Sequence, residues 1–216
     1  MGILYGHRCI LCGADFPVTT SRTLQLCPDC AAAVRREYRC NEVISIAGAD
    51  GTIAPLYYRG TVQNAMKRFK FSSAAYCADW FAAQMCAALT SQLEEWQPDL
   101  ITYMPIGFLH YRKRGYNQAE LLAKLTAKPL SLPCEATLRK RWFVGKQSAQ
   151  KDYAARQSNA KDAVLPKEGV NLTGKSVVLV DDIITTGATA TAAVKVLREM
   201  GASRVYVLAA TFTPRK

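Results

Sequence analysis

The sequence predicts an α/β fold: a mostly parallel sheet flanked by helices, with a small cysteine-bearing module in front. Three observations carry this. Residues 177–180, VVLV, form an apolar run suited to the buried centre of a parallel sheet, and Ala190, Ala193, Val194, Leu197 and Met200 then recur at helical spacing. Residues 100–104 repeat the pattern, an apolar run leading through a loop to Ala119, Leu121, Leu122 and Leu125. Strand, loop and helix in alternation is the order of a parallel α/β sheet. Finally, two CxxC pairs lie within the first thirty residues, outside either unit.

The other elements follow in chain order. Val43, Ile44 and Ile46, then residues 53–58, are strand-like. Gly48, Asp50 and Gly51 lie between them, which predicts a hairpin. A helix is expected over 61–71, and its Lys67, Arg68 and Lys70 read as a solvated basic face. A longer helix over 74–96 carries Trp80, Phe81, Met85 and Leu89 and ends at Gln97-Pro98-Asp99. The segment from Pro105 to Gln118 reads as a loop, and residues 138–164 are polar, basic and weakly periodic. Gly201 supplies a helix stop, and residues 205–210 form a last strand.

Length and composition narrow the class. The chain has 216 residues, half of them hydrophobic, enough for one domain and a small appendage. Eighteen consecutive apolar residues occur nowhere, so no membrane span is expected. The first residues, MGILYGHRC, lack the apolar stretch of a secretory leader, so a soluble cytoplasmic chain is expected. Disulfides are not expected there, and the eight cysteines need another explanation.

Four have one. Cys9 with Cys12, and Cys27 with Cys30, form two CxxC knuckles separated by fourteen residues. Zn²⁺ prefers four thiolates in a tetrahedron, and each knuckle supplies two from one tight turn. The expectation is a structural zinc site, with His7 and Cys40 as substitute ligands.

The most informative stretch is 177–191, VVLVDDIITTGATAT. Asp181 and Asp182 fall at the carboxyl end of a buried-type strand, where ligands of parallel sheets bind. The turn Thr185, Thr186, Gly187, Ala188 and Thr189 opens a helix, so its backbone N–H groups and the helix dipole suit an anion. The carboxylates repel an anion but suit hydroxyl groups or a hydrated divalent cation. Phosphate, hydroxyls and cation together describe a phosphorylated sugar. A Walker A loop is absent.

Charge points the same way. Net charge is +11, and residues 101–216 hold nineteen basic and eight acidic groups. Asp and Glu are absent from Thr102 to Ala119, where Arg112, Lys113 and Arg114 follow a strand end, a loop suited to pyrophosphate. Arg139, Lys140 and Arg141 beside Trp142 also suit single-stranded nucleic acid, because cations track the backbone while bases stack on rings.

Four segments, spread over most of the chain, together resemble the ComF family: CxxC…CxxC, MKRFKF, MPIGFLHYRKRGYNQAELLA and VVLVDDIITTGAT. The last is similar to the phosphoribosyl pyrophosphate (PRPP) motif of type I phosphoribosyltransferases, and RGYNQ resembles the family's RGFNQ signature. The resemblance implies a four-cysteine zinc ribbon over 1–40 and a type I phosphoribosyltransferase-like domain over 41–216, with a small hood from residues near 41–60. It implies PRPP binding with Mg²⁺-dependent phosphoribosyl chemistry. Residues 185–189 would hold the 5-phosphate, and Asp181 and Asp182 the ribose hydroxyls. Pro105, Ile106 and Gly107 would form the pyrophosphate loop, with Arg112, Arg114, Asn117 and Gln118 near it. Residues 138–164 would form a lid, using Gln147 or Gln150 with Arg156 and Asn159. The family also implies a role in natural competence, with single-stranded DNA and other competence proteins as partners. In the alternative reading the chain binds single strands and keeps the PRPP site for regulation.

Overall fold

The computed structural model describes residues 7–16, 26–71, 74–140 and 164–214. In chain order its elements are β1 (His7–Arg8), β2 (Asp15–Phe16), α1 (Pro28–Ala33), β3 (Gly51–Ile53), β4 (Leu56–Tyr57), α2 (Gly60–Phe71), α3 (Cys77–Thr90) and α4 (Leu93–Trp96). Then come β5 (Leu100–Tyr103), α5 (Phe108–Arg114), α6 (Gln118–Ala127), β6 (Leu138–Lys140), β7 (Val164–Pro166), β8 (Ser176–Ile184), α7 (Ala188–Glu199) and β9 (Arg204–Phe212).

The central sheet runs β3-β9-β8-β5, with β4 also on β9, and every pairing in it is parallel. Strand side chains alternate between faces, so an all-apolar strand must be covered on both. Val178, Val180, Tyr206, Leu208 and Ala210 join α2, α3 and α6 in one core cluster. Val177, Leu179, Val205, Val207 and Ala209 join Ala190, Ala193, Val194 and Leu197 of α7 in the other. This is the expected α/β architecture, a parallel sheet between two helical layers.

The expected hairpin over 43–60 is not formed. Ile44 and Ile46 are buried in irregular chain, and β3 and β4 each lie parallel to β9 instead of pairing with each other. The turn residues serve another purpose. The Asp50 N–H donates to Val205 O at 2.8 Å, and its Oδ2 accepts the Val205 N–H at 2.6 Å and pairs with Arg198 at 2.5 Å. So the segment expected as a hood extends the central sheet.

At the amino end, β1 and β2 pair antiparallel around the first knuckle. Cys9, Ile10, Leu11, Leu26, Cys30 and Val34 belong to the same core cluster as α2 and α3. Helix α2 places Val62, Ala65, Met66 and Phe69 on one buried stripe, at steps of three, one and three. Arg68, off that stripe, donates from Nη2 to the carbonyls of Ile10 and Leu11. Among the described residues, no helix is long and apolar enough to cross a membrane.

Candidate functional site

Two sites emerge. The first is the cysteine module. Sγ atoms of Cys9, Cys12, Cys27 and Cys30 all lie within 4.8 Å of one another. Each knuckle is shaped by local backbone bonds: Gly13 N–H to Cys9 O, and Ala31 N–H to Cys27 O, with Pro28 opening α1. Cys12 and Cys27 Sγ are 3.7 Å apart. Zn–S bonds of about 2.3 Å in a tetrahedron put sulfurs about 3.8 Å apart, so the set fits a zinc ion. Four thiolates leave no open position on a tetrahedral ion, so a zinc held there would have a structural role. Cys40 stands outside this group, packed on the second core cluster, and the His7 side chain lies outside the described residues.

The second site is a cavity of ≈ 210 Å³ at the carboxyl ends of β5 and β8. The register builds it. Tyr103 lies opposite Val180, and the Met104 N–H donates to Val180 O at 2.9 Å. The chain after Met104 therefore runs beside Asp181 and Asp182. Pro105, Ile106 and Gly107 line one wall, and Asp181 to Ala190 the other. Strand β8 continues through the aspartates to Ile184 and does not end before them.

The turn into α7 depends on Gly187. Its φ is +79°, which strains any residue with a Cβ, and a Cβ there would also sit 2.5 Å from Ile46 Cδ1, which would have to move. The first N–H groups of α7 have no intrahelical acceptor, as at any helix start. Thr186 Oγ accepts the Ala188 N–H at 3.4 Å, and Thr185 and Thr189 line the cavity with it.

The segment expected as a basic loop contains helix α5. Gly115, at φ +79°, ends it in the left-handed conformation. Arg114 faces the cavity, whereas Arg112 is not among its lining residues and lies over the Phe108 ring at 5.7 Å. Asn117 lines the cavity but is spent on structure: Oδ1 accepts the Ala119 N–H at 3.1 Å and Nδ2 donates to Met104 O at 3.0 Å. It caps α6 and fixes the start of the Pro105 loop together. Gln118 is only 2 % exposed; its Oε1 accepts from Arg114 Nη1 at 2.9 Å, while its Nε2 and Arg114 Nε are buried donors with no protein acceptor. Such donors take an acceptor from water or from a bound polar group.

Lys140 also lines the cavity, so a residue expected on a nucleic-acid surface sits beside the acidic pair and the turn into α7. Arg139 is on the neighbouring position of β6, bonded to Pro166 O at 3.2 Å and facing Glu168 at 3.6 Å. Strands β6 and β7 pair antiparallel and bracket residues 141–163. Arg141, Trp142, Gln147, Gln150, Arg156 and Asn159 lie outside the described residues.

Sequence reasoning missed Lys70. Its ammonium lies 2.9 Å from Asp182 Oδ2, with side-chain exposures of 18 % and 13 %. Asp181 Oδ1 accepts the Asp182 N–H at 2.8 Å. Burial first, and the charge of Asp182 second, push the Asp181 carboxyl up to about 7. Between the ordinary value of 3.8 and about 7 the folded chain keeps a proton that the unfolded chain has lost. That contribution to stability is present at the acid end of the window and is lost as pH rises through it. Asp181→Asn is therefore expected to melt above the unsubstituted protein at pH 8, with the gap closing as pH falls toward 4. Thermal unfolding followed by circular dichroism at four pH values checks this; a lower melting point at pH 8 contradicts it.

A family model described as "Phosphoribosyl transferase domain" matches residues 117–215. Competence protein F of Haemophilus influenzae is 31% identical over 150 residues, which are 66% of this chain and 64% of that protein. The chain thus spans slightly less than two thirds of that relative. Competence protein ComFC of Bacillus subtilis is 26% identical over 199 residues, covering 91% of this chain and 73% of that one. Among solved structures, glutamine PRPP amidotransferase from B. subtilis, complexed with ADP and GMP, has 28% identity and a TM-score of 0.43, over 62% of this chain and 26% of that one.

Proposed function

We propose that this chain, a ComF-family protein with a type I phosphoribosyltransferase-like fold, binds PRPP or a related phosphorylated sugar and performs phosphoribosyl transfer in the service of DNA uptake. One observation carries the reading: a single cavity joins a helix-opening turn, a carboxylate pair and cationic side chains from three other elements. No simpler ligand asks for all three.

In this reading residues 185–189 hold the 5-phosphate on the N–H groups and hydroxyls that open α7. Asp181 and Asp182 accept hydrogen bonds from the ribose hydroxyls. Residues 105–107, Arg114 and Lys140 face the pyrophosphate and stabilise its negative charge as it departs. The carboxylates favour a ribose centre that gains positive charge in the transition state. Asp182 Oδ2 is held by Lys70 and Asp181 Oδ1 by a backbone N–H, so the pair fits Mg²⁺ through its two remaining oxygens, beside the ligand's own phosphates. Mg²⁺ bound there supplies charge neutralisation of the pyrophosphate. The structural zinc and a cytoplasmic setting complete the proposal.

The second reading, single-strand binding with a regulatory sugar site, draws support from a different surface. Phe71, Phe108 and Tyr111 are exposed, and Lys113 and Arg114 lie over the Phe71 ring at 5.8 and 5.2 Å. Exposed rings among cations suit stacked bases on a phosphate chain. One titration series tests both readings: PRPP, ribose 5-phosphate and short single strands, each with and without Mg²⁺. PRPP is expected to bind more tightly than ribose 5-phosphate. Absence of PRPP binding in every condition removes the first reading. Strand binding that weakens steeply with salt favours the second.

A further inference from the structure

Lys70 does not behave as a surface lysine. It sits on the last turn of α2, a helix that belongs to neither ligand-binding loop. That turn is held from two sides. Arg68 grips the Ile10 and Leu11 carbonyls, and the Tyr116 hydroxyl donates to the carbonyl of fully buried Phe69. Lys67, on the same helix, is exposed, while Lys70 is drawn into the cavity wall. Its ammonium meets Asp182 with little water around either group.

A half-buried ammonium–carboxylate pair is a weak source of stability, because both charges must give up much of their water. Its location gives it another role. The acidic pair stands where an anionic sugar must approach, and two uncompensated carboxylates repel that ligand. A fixed cation on Asp182 cancels half of this charge before the ligand arrives. It also lines the same cavity as the Pro105 loop and Arg114, the residues assigned above to pyrophosphate.

We propose that Lys70 is a ligand-binding residue, the resident cation between the acidic pair and the anionic sugar, and that it makes ligand binding independent of free divalent cations. The inference rests on the phosphoribosyl reading above. Mg²⁺ adds to binding in this scheme and is not a condition for it.

Calorimetric titration of the full chain with PRPP, in excess Mg²⁺ and in EDTA at constant ionic strength, tests it. The unsubstituted protein is expected to bind within about threefold in the two conditions. Lys70→Met keeps the apolar stem and removes the charge; it is expected to bind in Mg²⁺ but to lose at least about thirtyfold in EDTA. Lys70→Arg restores a cation and is expected to recover most of that loss. PRPP binding by the unsubstituted protein that vanishes in EDTA overturns the role of Lys70 and leaves the phosphoribosyl reading standing. So does a Lys70→Met protein that binds equally in both. No PRPP binding in either condition overturns the phosphoribosyl reading, and this inference with it. The EDTA comparison on the unsubstituted protein decides the matter even where a substituted chain fails to fold.

Discussion

Cys27→Ser is expected to release the zinc ion and to leave the amino-terminal module without ordered structure. The module has little else to hold it. Strands β1 and β2 have two residues each, and α1 has six. Among the described residues, its buried side chains belong to the cluster shared with α2 and α3 and form no separate core. Structural Zn²⁺ contributes on the order of 10–16 kcal/mol in small zinc-finger peptides near neutral pH, far more than so few contacts can supply. Metal analysis is expected to find one zinc per chain, and none after the substitution. Hydrogen exchange should then be fast over residues 7–38 and remain slow in α3 and α6. Metal-free protein on purification, or full protection after strong chelation, would contradict the assignment.

Replacing Asp181 and Asp182 together by Asn is expected to weaken PRPP binding by roughly a hundredfold to ten-thousandfold without unfolding the domain. Hydrogen bonds to charged groups contribute about 1.5–3 kcal/mol each, and this change weakens two. The fold should tolerate it, because Asn relieves the repulsion and the burial cost that raise the Asp181 carboxyl, and Asn at 182 keeps an oxygen that can accept from Lys70. Thr186→Ala removes one hydroxyl from the turn and is expected to cost about 1 kcal/mol. Calorimetry with thermal melts separates lost affinity from lost structure. Undiminished affinity in the doubly substituted protein means that the acidic pair is not the ribose site.

What could be read in the sequence was what is local. Each strand of 100–104 and 177–180 carries its burial in its own composition, and α7 carries its face in its own spacing. The two knuckles announce themselves because both ligands of each come from one turn. The hairpin expectation failed because strand pairing is a long-range choice. Gly51 lies opposite Tyr206, and a turn of Gly48, Asp50 and Gly51 looks the same whether the strands beside it pair with each other or with β9. Helix α5 did have a signal: Arg112-Lys113-Arg114 followed by Gly115 is a basic last turn with a glycine stop. Lys70 had none. It meets a carboxylate far along the chain, and the charge pattern of α2 reads equally well as a wet face.

The sharing of one core by the cysteine module and α2 bears on how the chain folds as it is made. Residues 9–34 are synthesised before α2, so Ile10, Leu11 and Val34 wait for Val62, Met66 and Phe69. Domains generally fold as units, amino-terminal first, during synthesis. This module cannot complete that step alone. The four thiolates are near in sequence and can capture metal early, which closes short loops at small entropic cost. Ligation would present an apolar surface against which α2 packs, the helix that also carries Arg68 and Lys70 to their two partners. A metal held by the four thiolates would thus order the apolar face against which the helix carrying Lys70 packs.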